Sequence, residues 1–152
     1  MKMKRVWHKD LIPVLPRKVL MRQWRECCVI ARNKVTAGSV GSARMRRIED
    51  YPKAHFGRYA LDVAKECEAR GIPVDRMQFF RWFDQWKDDS SVGSSLVDID
   101  KDDVFSGWHN DRYMFQCWYD LQEMFDCGEI TKEDWLRVCD SVGRRDEEVV
   151  AG

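Results

Sequence analysis

A chain of 152 residues with 44% hydrophobic residues, seven tryptophans and seven phenylalanines has enough apolar bulk for one packed domain, or one with an appended hairpin. No run approaches the ~20 apolar residues of a membrane helix, and no apolar segment follows Met1-Lys2-Met3-Lys4-Arg5, so neither a membrane span nor secretion is expected. The formal net charge of zero hides a division: residues 1–73 hold 17 lysines and arginines against 7 acids, and residues 74–152 hold 9 against 19.

In chain order, residues 5–16 contain Pro13 and Pro16 and little helical period, and read as an extended arm or loop. Pro16 suits the first turn of a helix. From Arg17 to about Lys34 the period is clear: Leu20, Trp24, Cys27, Cys28 and Ala31 share one face, and Lys18, Arg22, Arg25 and Arg32 share the opposite one. Residues 35–48, with Gly38, Gly41, Arg44, Arg46 and Arg47, read as a flexible basic loop. Asp50 is the expected cap of a second helix with Pro52 in its first turn. Its buried stripe is Phe56, Tyr59, Ala60, Val63 and Cys67, and Gly71 is placed to end it in a left-handed conformation. A short aromatic helix follows over about 75–87, then a long acidic loop over 88–111. A helical hairpin closes the chain: about 112–126, a turn at Cys127-Gly128-Glu129, and a last helix that opens on Thr131-x-x-Asp134 and ends near Gly143. The expected architecture is all-α, a compact bundle of about five helices with long loops. A basic region (1–73) and an acidic one (74–152) would share one compact domain.

The basic half is the electrostatic footprint of a polyanion-binding surface, although two oppositely charged halves can also attract each other within one fold. The six cysteines (27, 28, 67, 117, 127 and 139) show no C-x-x-C pair and the three histidines are scattered. Zinc ligands usually come paired at short spacing, so no metal and no cofactor is expected, and the thiols read as reduced core residues of a cytoplasmic protein. Asp98, Asp100, Asp102 and Asp103 suggest a calcium loop, but its sixth and twelfth positions would be Asp103 and His109 where glycine and a bidentate acid are needed. The aromatics from Phe79 to Trp86 can stack bases but at helical spacing read as core. Glu26 stands out as the sole acid between Asp10 and Glu49, amid arginines and lysines. Either it makes a surface pair with Arg22, worth ~0.3–0.5 kcal/mol, or the arginines hold phosphates while Glu26 faces the sugar or base between them. A carboxylate there can stabilise a cationic sugar or activate a nucleophile.

The segment Trp7-His8-x-x-Leu11-Ile12-Pro13-x-Leu15-Pro16-Arg17, followed by Gln23-x-Arg25-Glu26-Cys27-Cys28, resembles the opening of the pyrimidine-dimer DNA glycosylases, the phage-type endonuclease V family. Leu20-Met21-x-x-Trp24-Arg25-Glu26 is similar to that family's catalytic helix, and Glu66-Cys67-x-x-Arg70-Gly71 to the end of its second helix. The resemblance covers roughly residues 5–73. It implies a helical fold that binds duplex DNA and flips a nucleotide from the stack. In the family the N-terminal amine attacks the sugar carbon, an imine forms, and β-elimination nicks the strand with help from the glutamate. Glu26 takes the glutamate's position and Arg25 a substrate-contacting one. His8 and Arg17, in the matched segment, join Arg22 and Arg32 as DNA-binding candidates. Met1 is the candidate nucleophile, since Lys2 is too large to favour its removal.

The expected activity is therefore DNA N-glycosylase, with or without lyase action, on a damaged or modified pyrimidine in duplex DNA. Two alternatives are a non-catalytic DNA- or protein-binding relative and a DNA-modifying transferase on the same scaffold. The acidic half can narrow the substrate range, cover the DNA face, or bind a protein partner. The expected location is the cytoplasm, that of the host if the chain is phage-encoded.

Overall fold

The apolar period that announces the first helix becomes α1, Arg17–Ala37, in the computed structural model, which describes residues 5–87 and 99–151, with side chains as far as Val142. Leu20, Trp24, Cys27 and Ala31 are buried as expected, joined by Val19, Gln23 and Ile30, while Cys28 is only partly covered. Gly38, with φ of 79°, ends the helix, and its N–H donates to Lys34 O at 3.1 Å.

Helix α2 spans Lys53–Ala69 and buries all five residues of the expected stripe. Asp50 is not its cap: it ends a 3-10 turn, Met45–Asp50, and Pro52 takes the cap position with no side-chain hydrogen bond. Proline disfavours helical geometry in the residue before it. Tyr51 is extended (φ −123°, ψ 155°), which separates Asp50 from the helix. The far end is a Schellman turn: Gly71 has φ of 75°, Ile72 N donates to Cys67 O at 2.9 Å and Gly71 N to Glu68 O at 3.0 Å.

The aromatic helix is shorter than its pattern. It is α3, Met77–Phe83, and it packs on α1. Phe79, Phe83 and Trp86 are buried, and the Phe79 ring lies 5.5 Å from Phe56 and 6.1 Å from Trp24. This cluster is core, as its spacing suggests. Helix α4, Asp111–Asp126, is capped by Asn110, whose Oδ1 accepts from Tyr113 N at 2.9 Å. Helix α5, Lys132–Ala151, completes the hairpin, and Thr131 Oγ1 accepts from Asp134 N at 3.1 Å. It does not stop near Gly143. One interior glycine costs about 1 kcal/mol without ending a helix, and the residues after it include good helix formers. Among the described residues there is no strand, and no described helix is long and apolar enough to cross a membrane.

The arm is the largest departure from expectation. Lys9–Val14 forms a 3-10 turn packed against α2 and α5, with Val6, Trp7, Leu11, Ile12 and Leu15 in the core. Polar groups stitch it to residues 102–120. Lys9 Nζ donates to Asp102 O at 2.7 Å and Val104 O at 2.6 Å. Tyr113 donates its hydroxyl to Val6 O at 2.5 Å, and Arg5 Nε donates to Asp120 Oδ2 at 2.7 Å. All three histidines accept a backbone N–H at Nδ1: His8 from Asp10, His109 from Lys9, and His55 from Phe105, at 3.0–3.1 Å. Of the expected long loop, residues 88–98 (and with them Asp98) lie outside the described residues. The remainder contains a 3-10 turn, Lys101–Asp103, and buries Val104, Phe105, Trp108 and His109.

The thiols are all free. Cys27, Cys67 and Cys117 are buried, but Cys127 is exposed at the hairpin turn, so not all are core residues. Burial pushes Cys27 well up and Cys28 to about 11, which keeps both as inert thiols at neutral pH.

Candidate active site

The outward face of α1 can be judged by which cations the fold consumes. Arg5 pairs with Asp120, Lys34 with Glu49, Arg58 with Asp62, Arg70 with Glu66 and Arg76 with Glu68. Lys53 donates to Phe83 O and Trp86 O, and Arg70 also to Leu15 O and Pro13 O. The side chains of Arg22, Arg25 and Arg32 make no hydrogen bond or ion pair among the described residues. They lie with Lys18 on one side of the helix, where no described acid pairs with them. One ion pair that does join the halves is Arg5–Asp120, a base of 1–73 with an acid of 74–152.

Glu26 borders this face. It lines a cleft of about 270 Å³ between α1 and the loop after it, together with Arg22, Arg25, Asn33, Ser42 and Met45. The surface pair with Arg22 is not among the ion pairs. Gln23, one turn earlier and only 1% exposed, donates from Nε2 to Glu26 Oε2 at 3.3 Å. Its orientation is forced, because its Oε1 accepts Trp7 N–H at 2.8 Å and only oxygen can do so. Tyr59 adds its hydroxyl 2.8 Å from the same oxygen and 2.6 Å from Trp7 O. Burial raises the Tyr59 pKa well above its ordinary value, so the hydroxyl keeps its proton. The arm is thus linked through Gln23 to the Glu26 carboxylate. Sequence reasoning placed Gln23 in a motif but gave it no role. Its one signal is a polar amide on the apolar face of α1, three residues before the acid.

Of the other candidates, Arg17 is exposed at the start of α1. With Lys18, Arg22 and Arg25 it lines a groove of about 760 Å³ whose other bank is the hairpin turn, with Glu129, Thr131 and Asp134. Acidic residues of the second half therefore border the basic face. His8 is not a surface residue: its ring is 0% exposed and stacks 5.1 Å from His109. It is drawn inside because its aromatic ring fills the joint between arm and α4 while Nδ1 satisfies Asp10 N–H. Met1 lies outside the described residues.

The sequence model of the pyrimidine dimer DNA glycosylase family matches residues 4–79, half of the chain. The chain belongs to that family. Comparisons with curated proteins and with solved structures gave no match. The family match takes in the arm, α1, α2 and all of the network from Trp7 to Glu26, and it ties this half to DNA glycosylase chemistry and to DNA as partner. Everything from Phe80 onward, including the hairpin turn across the groove, lies beyond it.

Proposed function

We propose that the protein excises a damaged or modified pyrimidine from duplex DNA, with Glu26 as catalytic carboxylate and the outward face of α1 as its phosphate-binding surface. The observation that carries this reading is the setting of Glu26: a carboxylate held by a buried amide and flanked in one cleft by Arg22 and Arg25, neither of them paired among the described residues. Phosphates on the arginines bring a sugar to the carboxylate. Positive charge develops on the sugar ring as the glycosidic bond breaks, and a fixed carboxylate stabilises it.

The nucleophile in this reading is the α-amine of Met1. An α-amine has a pKa of ~7.7–8.0 against ~10.4 for lysine, so at neutral pH it alone is appreciably unprotonated. From Trp7, six residues span up to ~20 Å, enough to return to Glu26. The amine attacks C1′, the base departs with the bonding electrons and takes up a proton, and the ring opens to an imine. Loss of the C2′ proton, with Glu26 as base, then expels the 3′ phosphate. In a purely hydrolytic version Glu26 activates water and no imine forms. Borohydride trapping on lesion-bearing duplexes tests the reading. A covalent adduct mapped to Met1 is the expected result. A crosslink at Lys2 or Lys4 moves the role to a side chain, and base release without an adduct removes the amine from the chemistry. If no lesion is released, the non-catalytic reading holds, which the acidic turn beside the basic groove would suit.

The DNA surface has its own test. Arg22→Ala combined with Arg32→Ala should weaken binding to all duplexes alike and lower the slope of log affinity against log salt by about 2, since each lost phosphate contact removes ~0.9. A titration across salt concentrations that leaves the slope unchanged in a folded double variant would dismiss the α1 face.

A further inference from the structure

The groove at the start of α1 has two banks of opposite charge. On one stand Arg17, Lys18, Arg22 and Arg25, and on the other Glu129 and Asp134 of the hairpin turn, across about 760 Å³. The first turn of α1 holds no acid and Pro16 gives its N-terminus no side-chain cap, so the partial positive charge of the helix end adds to the cationic bank. No ion pair crosses the groove among the described residues. Asp134 pairs instead with Arg137 at 3.6 Å, within α5, and Glu129 is exposed. The acidic bank is held in place by its backbone. Gly128 has φ of 77°, Gly128 N donates to Phe125 O at 3.0 Å and Glu129 N to Met124 O at 2.8 Å, the same Schellman closure that ends α2. Ile130, the next residue, is buried, so the chain is anchored on both sides of Glu129.

We propose that the hairpin turn is an electrostatic brake on DNA binding: Glu129, supported by Asp134, repels the phosphate backbone that the α1 cations attract, and so weakens the hold on undamaged duplex. The inference rests on the reading of the α1 face as the phosphate-binding surface. Phosphates drawn to Arg17, Lys18, Arg22 and Arg25 enter the same groove that these acids border. Charges within the Debye length, ~10 Å at 0.1 M salt, are only partly screened, and a phosphate seated on the α1 cations stands between both banks. Arg137 offsets part of the charge of Asp134, which leaves Glu129 as the main source of the repulsion. The turn lies beyond residue 79, so the brake is built by residues outside the family match. It gives the division of charge along the chain a use: the basic half attracts DNA, and acids of the second half set how firmly it is held. Non-specific binding is mainly this phosphate attraction, so a brake on it frees the protein from undamaged duplex.

The experiment measures the affinity of the full-length protein for a short undamaged duplex, by fluorescence anisotropy across salt concentrations. Glu129→Gln should raise affinity roughly three-fold at low salt, and the gain should shrink as salt rises. Glu129→Lys should raise it further and steepen the slope of log affinity against log salt by about 0.9, the equivalent of one added phosphate contact. Glu123→Gln removes the same charge from an exposed acid of α4 that does not line the groove, and should leave affinity near wild type. Glu129 is exposed and the turn is closed by backbone bonds, so these variants keep the fold. No gain from Glu129→Gln overturns the proposal. So does an equal gain from Glu123→Gln, which would reduce the effect to net charge. Failure here is separable from failure of the α1 reading. If Arg22→Ala with Arg32→Ala leaves the salt slope unchanged, the α1 surface and the brake fall together. If that slope drops while Glu129→Gln is silent, the brake alone falls. Base excision enters neither readout, so the role of Glu26 is decided separately.

Discussion

Replacing Glu26 with glutamine should reduce base excision on the order of 100- to 1000-fold while folding and duplex binding stay near wild type. The side chain sits off the apolar stripe of α1 and is only partly covered, so its replacement carries none of the usual causes of large destabilisation. Glutamine keeps an oxygen to accept from Gln23 Nε2, and thereby the local geometry. What it removes is the charge, which matters when the sugar becomes cationic. Single-turnover release of base from a lesion-bearing duplex measures the effect. A variant that excises at the wild-type rate would reduce Glu26 to a surface acid.

The fold itself should weaken sharply in mild acid. His109 is held neutral, its pKa lowered to about 2, first by burial and then by the nearby charges of His8, Lys9 and Arg47. In the unfolded chain the same ring takes a proton near 6.5. Between those values the unfolded state binds one more proton than the folded state. Stability is therefore full above pH 6.5 and falls by up to about 1.4 kcal/mol for each pH unit below it. By pH 4.5 the loss approaches 3 kcal/mol, a large part of the 5–15 kcal/mol typical of a domain. His55, also shifted down by burial, acts in the same direction. Glu68, whose carboxyl is lowered by its bond to Arg76, enters only below the ordinary carboxylate range. Urea midpoints at pH 7.5, 6 and 5 should therefore report the histidines. His109→Gln should be less stable at pH 7.5 yet lose less on acidification, and parallel profiles for variant and wild type would refute this origin.

What the sequence disclosed divides along a physical line. Helices α1 and α2 were legible because burial follows a 3.6-residue period, and a period is a local property. Glu26 was legible as a lone acid among cations. The arm was not: its prolines correctly oppose a helix, but a 3-10 turn carries little apolar period, and its burial comes from partners about a hundred residues away. The same distance hid the burial of His8, which depends on His109 and Tyr113. Gln23 escaped because an amide carries no charge to mark it, and its function appears only when Trp7, Tyr59 and Glu26 converge on it.

The stitching of the arm also sets an order on biosynthesis. The arm leaves the ribosome well before its partners: Arg5 waits for Asp120, 115 residues later, and Val6 for Tyr113, 107 residues later. At 5–20 residues per second that interval is roughly 5–20 s. Throughout it Leu11, Ile12 and Leu15 lack their full cover, and Lys9 lacks the carbonyls of Asp102 and Val104. A nascent chain stalled after residue 79 would hold the whole family-matched segment with its central arm unsecured, and would offer that apolar strip to a chaperone or a protease before it could offer Glu26 to DNA.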